Sequence, residues 1–336
     1  MSHTRASATQ QSSSYGPKQF VMLSHLANQC HYQDQDRSPI TPDIMRNNED
    51  PSFLSGYHHH NQMSLFDPLL RFYPGSSWLT LGDGRGREAF YLQEHGAKVL
   101  PTDQDDSQLQ RTLAGGVFPE VARANAEELT YGDDSFDFVF CKETLHHLPR
   151  PYAALYEMMR LCRNGFAFIE PVDRKSPVSL HWHAISEQQR AIALLEHGRS
   201  PYFDEEYEEA GNYAYCFSIR DIERLALGAG LRWLAFKGIH VQDTRKLQNI
   251  IPGNRPRAHD EDPAFQEYLK NQRLLEHLSQ QGLVPWGSYA FIVLTIEFPS
   301  TDLIKALEAK GWTVRRLPEN PYLAENIRRA AKTSIR

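Results

Sequence analysis

Cysteine is scarce in this chain of 336 residues: there are four, Cys30, Cys141, Cys162 and Cys216, and no two form a Cys-x-x-Cys pair. That scatter excludes a disulfide framework and a thiolate zinc site, and it reads as buried thiols in a reducing compartment. Long apolar runs are also lacking. The most apolar stretch, residues 289–296, is far too short to span a bilayer. Positive charge is not in excess, with 36 Lys and Arg against 42 Asp and Glu, so the whole chain carries no electrostatic footprint for nucleic acid. The polar N-terminus has no hydrophobic signal core, so the expected location is cytoplasmic. What is present, 40% apolar and 23% charged residues, belongs to a soluble globular protein of one large domain or two modest ones.

The chain is organised around residues 78–88. The apolar Trp78, Leu79 and Leu81 end in Gly82, Gly84 and Gly86, and a helix-like segment follows from Arg87. This reads as a buried strand, a tight turn and a helix N-terminus. Glycine lets the backbone take positive φ and lets a ligand approach without meeting a Cβ. Free N–H groups and the helix dipole then favour a polar or anionic ligand group. A dinucleotide fingerprint needs Gly-x-Gly-x-x-Gly, and its third glycine is missing: Arg87 stands there.

Three further stretches lie at the right distances. Residues 97–100 form a second strand ending at Asp103, about twenty residues past the first glycine, where an acid can accept hydrogen bonds from ribose hydroxyls. The alternative is an exposed turn acid among Asp103, Gln104, Asp105 and Asp106. Next comes Ala124-Asn125-Ala126-Glu127-Glu128-Leu129, followed by an apolar strand from Phe136 to Cys141 broken only by Asp137. Finally, Lys142-Glu143-Thr144-Leu145-His146-His147-Leu148-Pro149 leaves the end of that strand, where open α/β sheets bind ligands.

In this order, the glycine triplet and the three stretches resemble the class I S-adenosylmethionine (SAM)-dependent methyltransferases, specifically over residues 76–172. The resemblance implies an α/β fold: a doubly wound, seven-stranded, mostly parallel sheet of Rossmann-like methyltransferase type, its last strand antiparallel, with helical insertions. It implies SAM as cofactor, held by Gly82, Asp83, Gly84, Gly86, Asp103, Gln104, Asn125, Ala126, Glu127 and Lys142. Asn125 and the N–H of Ala126 would meet the adenine. His146 and His147 are the candidate catalytic residues. Methyl transfer asks mainly for alignment of donor and acceptor, and a base only where the acceptor must lose a proton. The expected acceptor is a small molecule methylated on O or N. Two positions depart from the family's habit: Thr80 stands where an acid is frequent, and Asn125 replaces an adenine-side acid. They keep open a catalytically silent methyltransferase-like domain that binds a ligand or protein. A nicotinamide oxidoreductase is disfavoured by Arg87.

The rest of the chain divides into expected segments. Residues 1–18 are expected to be disordered. Residues 19–75 make an N-terminal segment that would lie over the cofactor as a lid, with one short helix at 20–27 and another at 63–72. Within it, His58, His59 and His60 are adjacent, so their side chains diverge and form no natural metal face. A polar lid or substrate contact fits them better, and no metal is expected. The methyltransferase domain spans 76–298. One insertion, 173–217, carries His181 and His183 and reads either as a lid over a small polar substrate or as a solvated cap. Ser218 and Asp221 read as a capped helix start, and a second insertion covers 238–282. Residues 299–336 form a C-terminal extension with a helix, a short strand near 312–314 and a basic tail.

Overall fold

The computed structural model describes residues 16–32, 36–172, 212–240 and 263–322. The expected disorder of the first residues, His181, His183 and nearly all of the insertion at 173–217 lie outside that set. The framework is one sheet with strand order β3-β2-β1-β4-β5-β7-β6-β8. Its strands are β1 (Ser77–Leu81), β2 (Lys98–Asp103), β3 (Ala122–Arg123), β4 (Phe136–Lys142), β5 (Cys162–Pro171), β6 (Trp233–Ile239), β7 (Ser288–Leu294) and β8 (Thr313–Arg316). Strands β1 to β5 pair in parallel, whereas β7 runs antiparallel between β5 and β6.

The central strands are apolar on both sides because helices cover both faces. On one face Leu79, Val139, Cys141, Phe166, Phe168, Phe291 and Val293 pack against α7 (Pro151–Leu161) and α8 (Ile219–Gly228). On the other, Trp78, Phe138, Phe140, Ala167, Ile169 and Ile292 pack against α4 (Asp67–Phe72), α5 (Arg87–Glu94) and α10 (Thr301–Ala309). Helix α6 (Ser107–Ala114) follows β2. Asp137, the one polar break in β4, sits at a register shift at the strand's start. There it accepts hydrogen bonds from the Ser77 N–H and hydroxyl at 2.8 and 2.9 Å, and pairs with Arg163 at 2.9 Å. Helix α8 begins with the capping box expected of Ser218 and Asp221.

The N-terminal segment is more helical than its polar composition suggests. It holds α1 (Pro17–Tyr32), α2 (Pro42–Asn48) and α3 (Leu54–Met63) ahead of α4. Helix α9 (Pro263–Gln280) occupies the described part of the second insertion.

Among the described residues the sheet has eight strands, not seven. The additional strand is β8, which pairs antiparallel with β6. It is the short strand expected near 312–314, here joined to the sheet's edge, and its arginines lie on aromatic faces: Arg315 over Phe236 at 4.7 Å and Arg316 over Trp233 at 5.9 Å. Just before it, Trp312 is buried edge-on against Phe66 and donates its indole N–H to the Leu65 carbonyl at 3.1 Å. This C-terminal segment therefore clamps the sheet to the N-terminal helices. Trp312→Ala is expected to cost about 3–5 kcal/mol, read as a lower denaturant midpoint. An unchanged midpoint would mean the extension is only appended.

Candidate functional site

The glycine turn after β1 is built on a buried carboxylate. Asp83 accepts hydrogen bonds from the Thr80 hydroxyl at 2.7 Å and from the N–H groups of Glu88 and Ala89 at 3.1 and 2.9 Å. It thus caps the first turn of α5 from below while its own peptide forms the loop. Burial and the neighbouring Glu88 carboxylate push the Asp83 carboxyl well above its ordinary range. Lys142, 3.2 Å from Glu88, holds that acid well below its range against the effect of burial.

The three glycines do different work. Gly82 has φ +63°, and a Cβ there would meet the Thr144 side chain at 2.3 Å. Gly84 has φ +56° and open space where a Cβ would stand. Gly86 has φ +76° and faces the ring of Phe118, which a Cβ would reach at 2.5 Å. Close packing thus dictates Gly82 and Gly86, and Gly84 alone leaves its vacant side open to a ligand.

A cavity of about 240 Å³ opens over this turn. Among the anticipated residues, Gly82, Gly84, Asp103, Gln104, Ala126 and His147 line it. Asp103, at the end of β2, accepts from the Gly84 N–H at 2.8 Å and the Asp105 N–H at 3.0 Å. Burial, the largest influence, raises its carboxyl above the ordinary value. Asp103 is therefore a walled acid and not a solvated turn residue.

The other anticipated residues lie outside the lining. Asp83 is beneath the turn, Gly86 is at the helix start, and Lys142 is paired with Glu88. The Asn125 side-chain oxygen accepts from the Glu127 N–H at 3.0 Å. Glu127 is held by Arg150 Nε at 2.7 Å and His25 Nε2 at 3.0 Å. His25 also reaches Gln104 at 3.3 Å, so α1 is hydrogen-bonded to two residues beside the cavity. His146 turns away. Its Nδ1 lies 2.7 Å from Glu170 Oε2, and its ring is 3.9 Å from that of His147.

Sequence reasoning missed Glu143, Thr144, Asp105, Gln108, Ala124 and Leu148 in the lining, and it missed Glu170. Glu170, at the end of β5, is fully buried and also accepts from the Thr144 and Leu145 N–H groups at 2.8 and 2.7 Å. The positive φ of Glu143, +49°, marks the sharp exit from β4. Among the described residues no group of three or more His, Cys, Asp or Glu has the arrangement of a metal site, and no helix is long and apolar enough to cross a membrane.

The three adjacent histidines do diverge. His58 pairs with Tyr268, His59 lies between Glu49 (2.6 Å) and Glu88 (3.3 Å), and His60 packs edge-on against Tyr91. Arg87 closes a bidentate pair with Glu49, one of its two bonds measuring 2.9 Å. The third dinucleotide glycine is thus replaced by a residue that ties α2 to α5.

With this geometry stands a family match: residues 79–169 fit the methyltransferase domain family, and over them the chain carries a methyltransferase domain. An uncharacterized protein of Mycobacterium tuberculosis is 33% identical over 96 residues, 27% of this chain and 35% of that protein. A demethylmenaquinone methyltransferase of Clavibacter sepedonicus is 30% identical over 122 residues, 35% of this chain and 50% of that one. A ubiquinone biosynthesis O-methyltransferase of Hahella chejuensis is 28% identical over 130 residues, 37% and 54% of the two chains. The chain therefore spans about a third to a half of the length of these relatives. Among solved structures, a SAM-dependent methyltransferase from Archaeoglobus fulgidus superposes with a TM-score of 0.42 at 15% identity, covering 70% of this chain and 94% of that one. Phosphoethanolamine N-methyltransferase 2 of Haemonchus contortus, solved with S-adenosyl-L-methionine, gives 0.41 at 14% identity, with coverage of 84% and 58%. At these scores the superpositions carry no functional weight.

The Glu49 pairs give a pH signature. Burial pushes the Glu49 carboxyl up, but hydrogen bonds from His59 and Arg87 outweigh it and hold the folded value below the ordinary 4.5. A depressed folded pKa stabilises above the unfolded value and loses that effect as pH falls through the folded one. Glu49→Gln should therefore lower the unfolding midpoint at pH 7, with the difference from wild type closing as pH drops below 4.5. A difference that does not narrow as pH falls below 4.5 would assign the loss to packing.

Proposed function

We propose that the chain is a SAM-dependent methyltransferase acting in the cytoplasm on a small-molecule acceptor, by O- or N-methylation. The observation that carries this reading is the cavity over the glycine turn, where the open side of Gly84 faces the same space as the Asp103 carboxylate and Ala126. A nucleoside with a charged amino-acid tail fits that donor set. Asp103 is the acceptor for the ribose hydroxyls, Gly84 admits the tail close to the main chain, and Ala124, Ala126 and Leu148 offer apolar surface to the adenine. Bound SAM supplies an activated methyl group, so the protein's share is orientation and, for a hydroxyl acceptor, removal of a proton. The names of the two quinone-pathway relatives support a small-molecule acceptor, and nucleic acid and membrane are not invoked as partners.

The two histidines divide the work in this reading. His147, which lines the cavity, is the candidate base. His146 stands outside the lining, its Nδ1 2.7 Å from the buried Glu170 and its ring 3.9 Å from that of His147, and acts as a positioning residue. Replacing His147 by Gln should cut methyl transfer about 10²-fold while SAM affinity stays within a few-fold.

The assignment is tested by calorimetry with SAM, S-adenosylhomocysteine and NAD, followed by a labelled-methyl acceptor screen. The first two should bind and NAD should not. Asp103→Ala should weaken both adenosyl ligands about tenfold or more, as expected for loss of a charge-assisted hydrogen bond. Gly84→Val should abolish their binding in a folded protein. Wild-type affinity in both variants would refute the cofactor site, and SAM binding without transfer to any acceptor would favour the silent domain.

A further inference from the structure

A second, larger cavity of about 680 Å³ lies away from the glycine turn, and no step of the proposed reaction uses it. It opens where the C-terminal end of β6 and the start of β7 meet α3, α9 and the turn before β8. Among the described residues none lines both cavities. Its size suits a small organic ligand rather than an ion.

Its walls are chemically sorted. One side is aromatic. The Trp286 indole lies against Gly238, where a Cβ would meet the ring at 2.2 Å, and Tyr289 continues that surface. The indole fits there only because β6 carries glycine at that point. Such a wall takes a flat ring by stacking.

A second side is a chain of polar groups. The Gln272 side-chain N–H donates to the Tyr268 hydroxyl at 2.8 Å, and that hydroxyl meets the His58 ring. Burial pushes the His58 imidazole down to about 4, so it is neutral at pH 7 and accepts from the tyrosine. This side offers neutral hydrogen-bonding groups to a polar substituent.

The charges decide the rest. Lys237 projects from β6 and donates to the Lys310 carbonyl at 2.6 Å, a bond that uses one of its three N–H groups. Burial lowers the Lys237 amine below its ordinary value, against the raising effect of Glu276. An anion entering beside it would hold the proton in place. Arg273 stands exposed at the rim. Among the described residues of the lining, two cations against the carboxylate of Glu276 leave one net positive charge, which matches a monoanion.

We propose that this cavity is a second binding site, for a planar aromatic ligand that carries one carboxylate and a further polar substituent. The ring stacks along Trp286 and Tyr289, the carboxylate meets Lys237, and the polar substituent meets Tyr268. The inference goes beyond the cofactor reading and does not depend on it.

The test is calorimetry on the full chain with 4-hydroxybenzoate, using uncharged 4-hydroxybenzamide as the control ligand. The acid should bind saturably, and the amide at least tenfold more weakly. Lys237→Met and, because that variant loses a structural bond, the exposed Arg273→Gln should each weaken the acid several-fold in folded protein. Gly84→Val should leave the affinity unchanged, because that residue belongs to the other cavity. Loss of binding in Gly84→Val would put the ring in the cofactor cavity and overturn the proposal. So would equal affinity for acid and amide, insensitivity to both cation replacements, or no saturable binding. SAM affinity, measured in parallel, separates this failure from that of the methyltransferase reading.

Discussion

The glycine turn depends on one carboxylate that faces away from any ligand. Asp83 gathers the Thr80 hydroxyl and two N–H groups of the first turn of α5, and so ties the end of β1 to the helix that follows it. With those donors satisfied from below, the loop can hold three residues at positive φ and turn an unobstructed glycine upward. Thr80, which reads in the sequence as a departure from the family's acid, has a partner for its hydroxyl in this arrangement. Its bond to Asp83 is part of the support, so the departure need not weaken the turn.

A second constraint is the charge enclosed between the N-terminal helices and the sheet. Glu49, His59, Arg87, Glu88 and Lys142 come from four separate elements, and each is paired with another of the group. Carboxylates buried here would be costly alone, so the network is stable only when α2, α3, α5 and β4 are all in position. Removing one member leaves another unpaired. This makes the N-terminal segment a part of the folded structure at the glycine turn, and α1 extends the same covering through His25, Gln104 and Glu127.

How much of this was legible in the sequence follows from how local each interaction is. The turn, Asp103 and Ala126 sit at spacings that strand and helix lengths dictate, and the structure brings them to one cavity. The capping box at Ser218 was readable for the same reason. Glu170 was not, because its partners are 24 to 26 residues away across a strand pairing. Asn125 and Lys142 carry the expected residue types, yet their side chains are engaged by Glu127 and Glu88, which no spacing reveals. The short strand near 312–314 was readable, but its pairing with β6 as an eighth strand of the sheet was not, because arginines lying on aromatic rings look like solvated charges. The divergence of His58, His59 and His60 could be anticipated from helical geometry, but their separate partners could not.

The same locality separates the two cavities. The one over the glycine turn is assembled from residues 82–148, all within the segment that matches the methyltransferase family. The other draws on α3, β6, α9 and the turn before β8, which lie outside that match. The two regions are joined through α3, where adjacent residues point opposite ways: His59 toward Glu88 beside the glycine turn, His58 toward Tyr268 in the second cavity. A ligand that moved Tyr268 would act on the helix whose next residue anchors the charged network under the turn. The segments that carry no family signature therefore build the second cavity and, through α3, reach the charged network beside the glycine turn, and chemistry peculiar to this chain is to be sought in them.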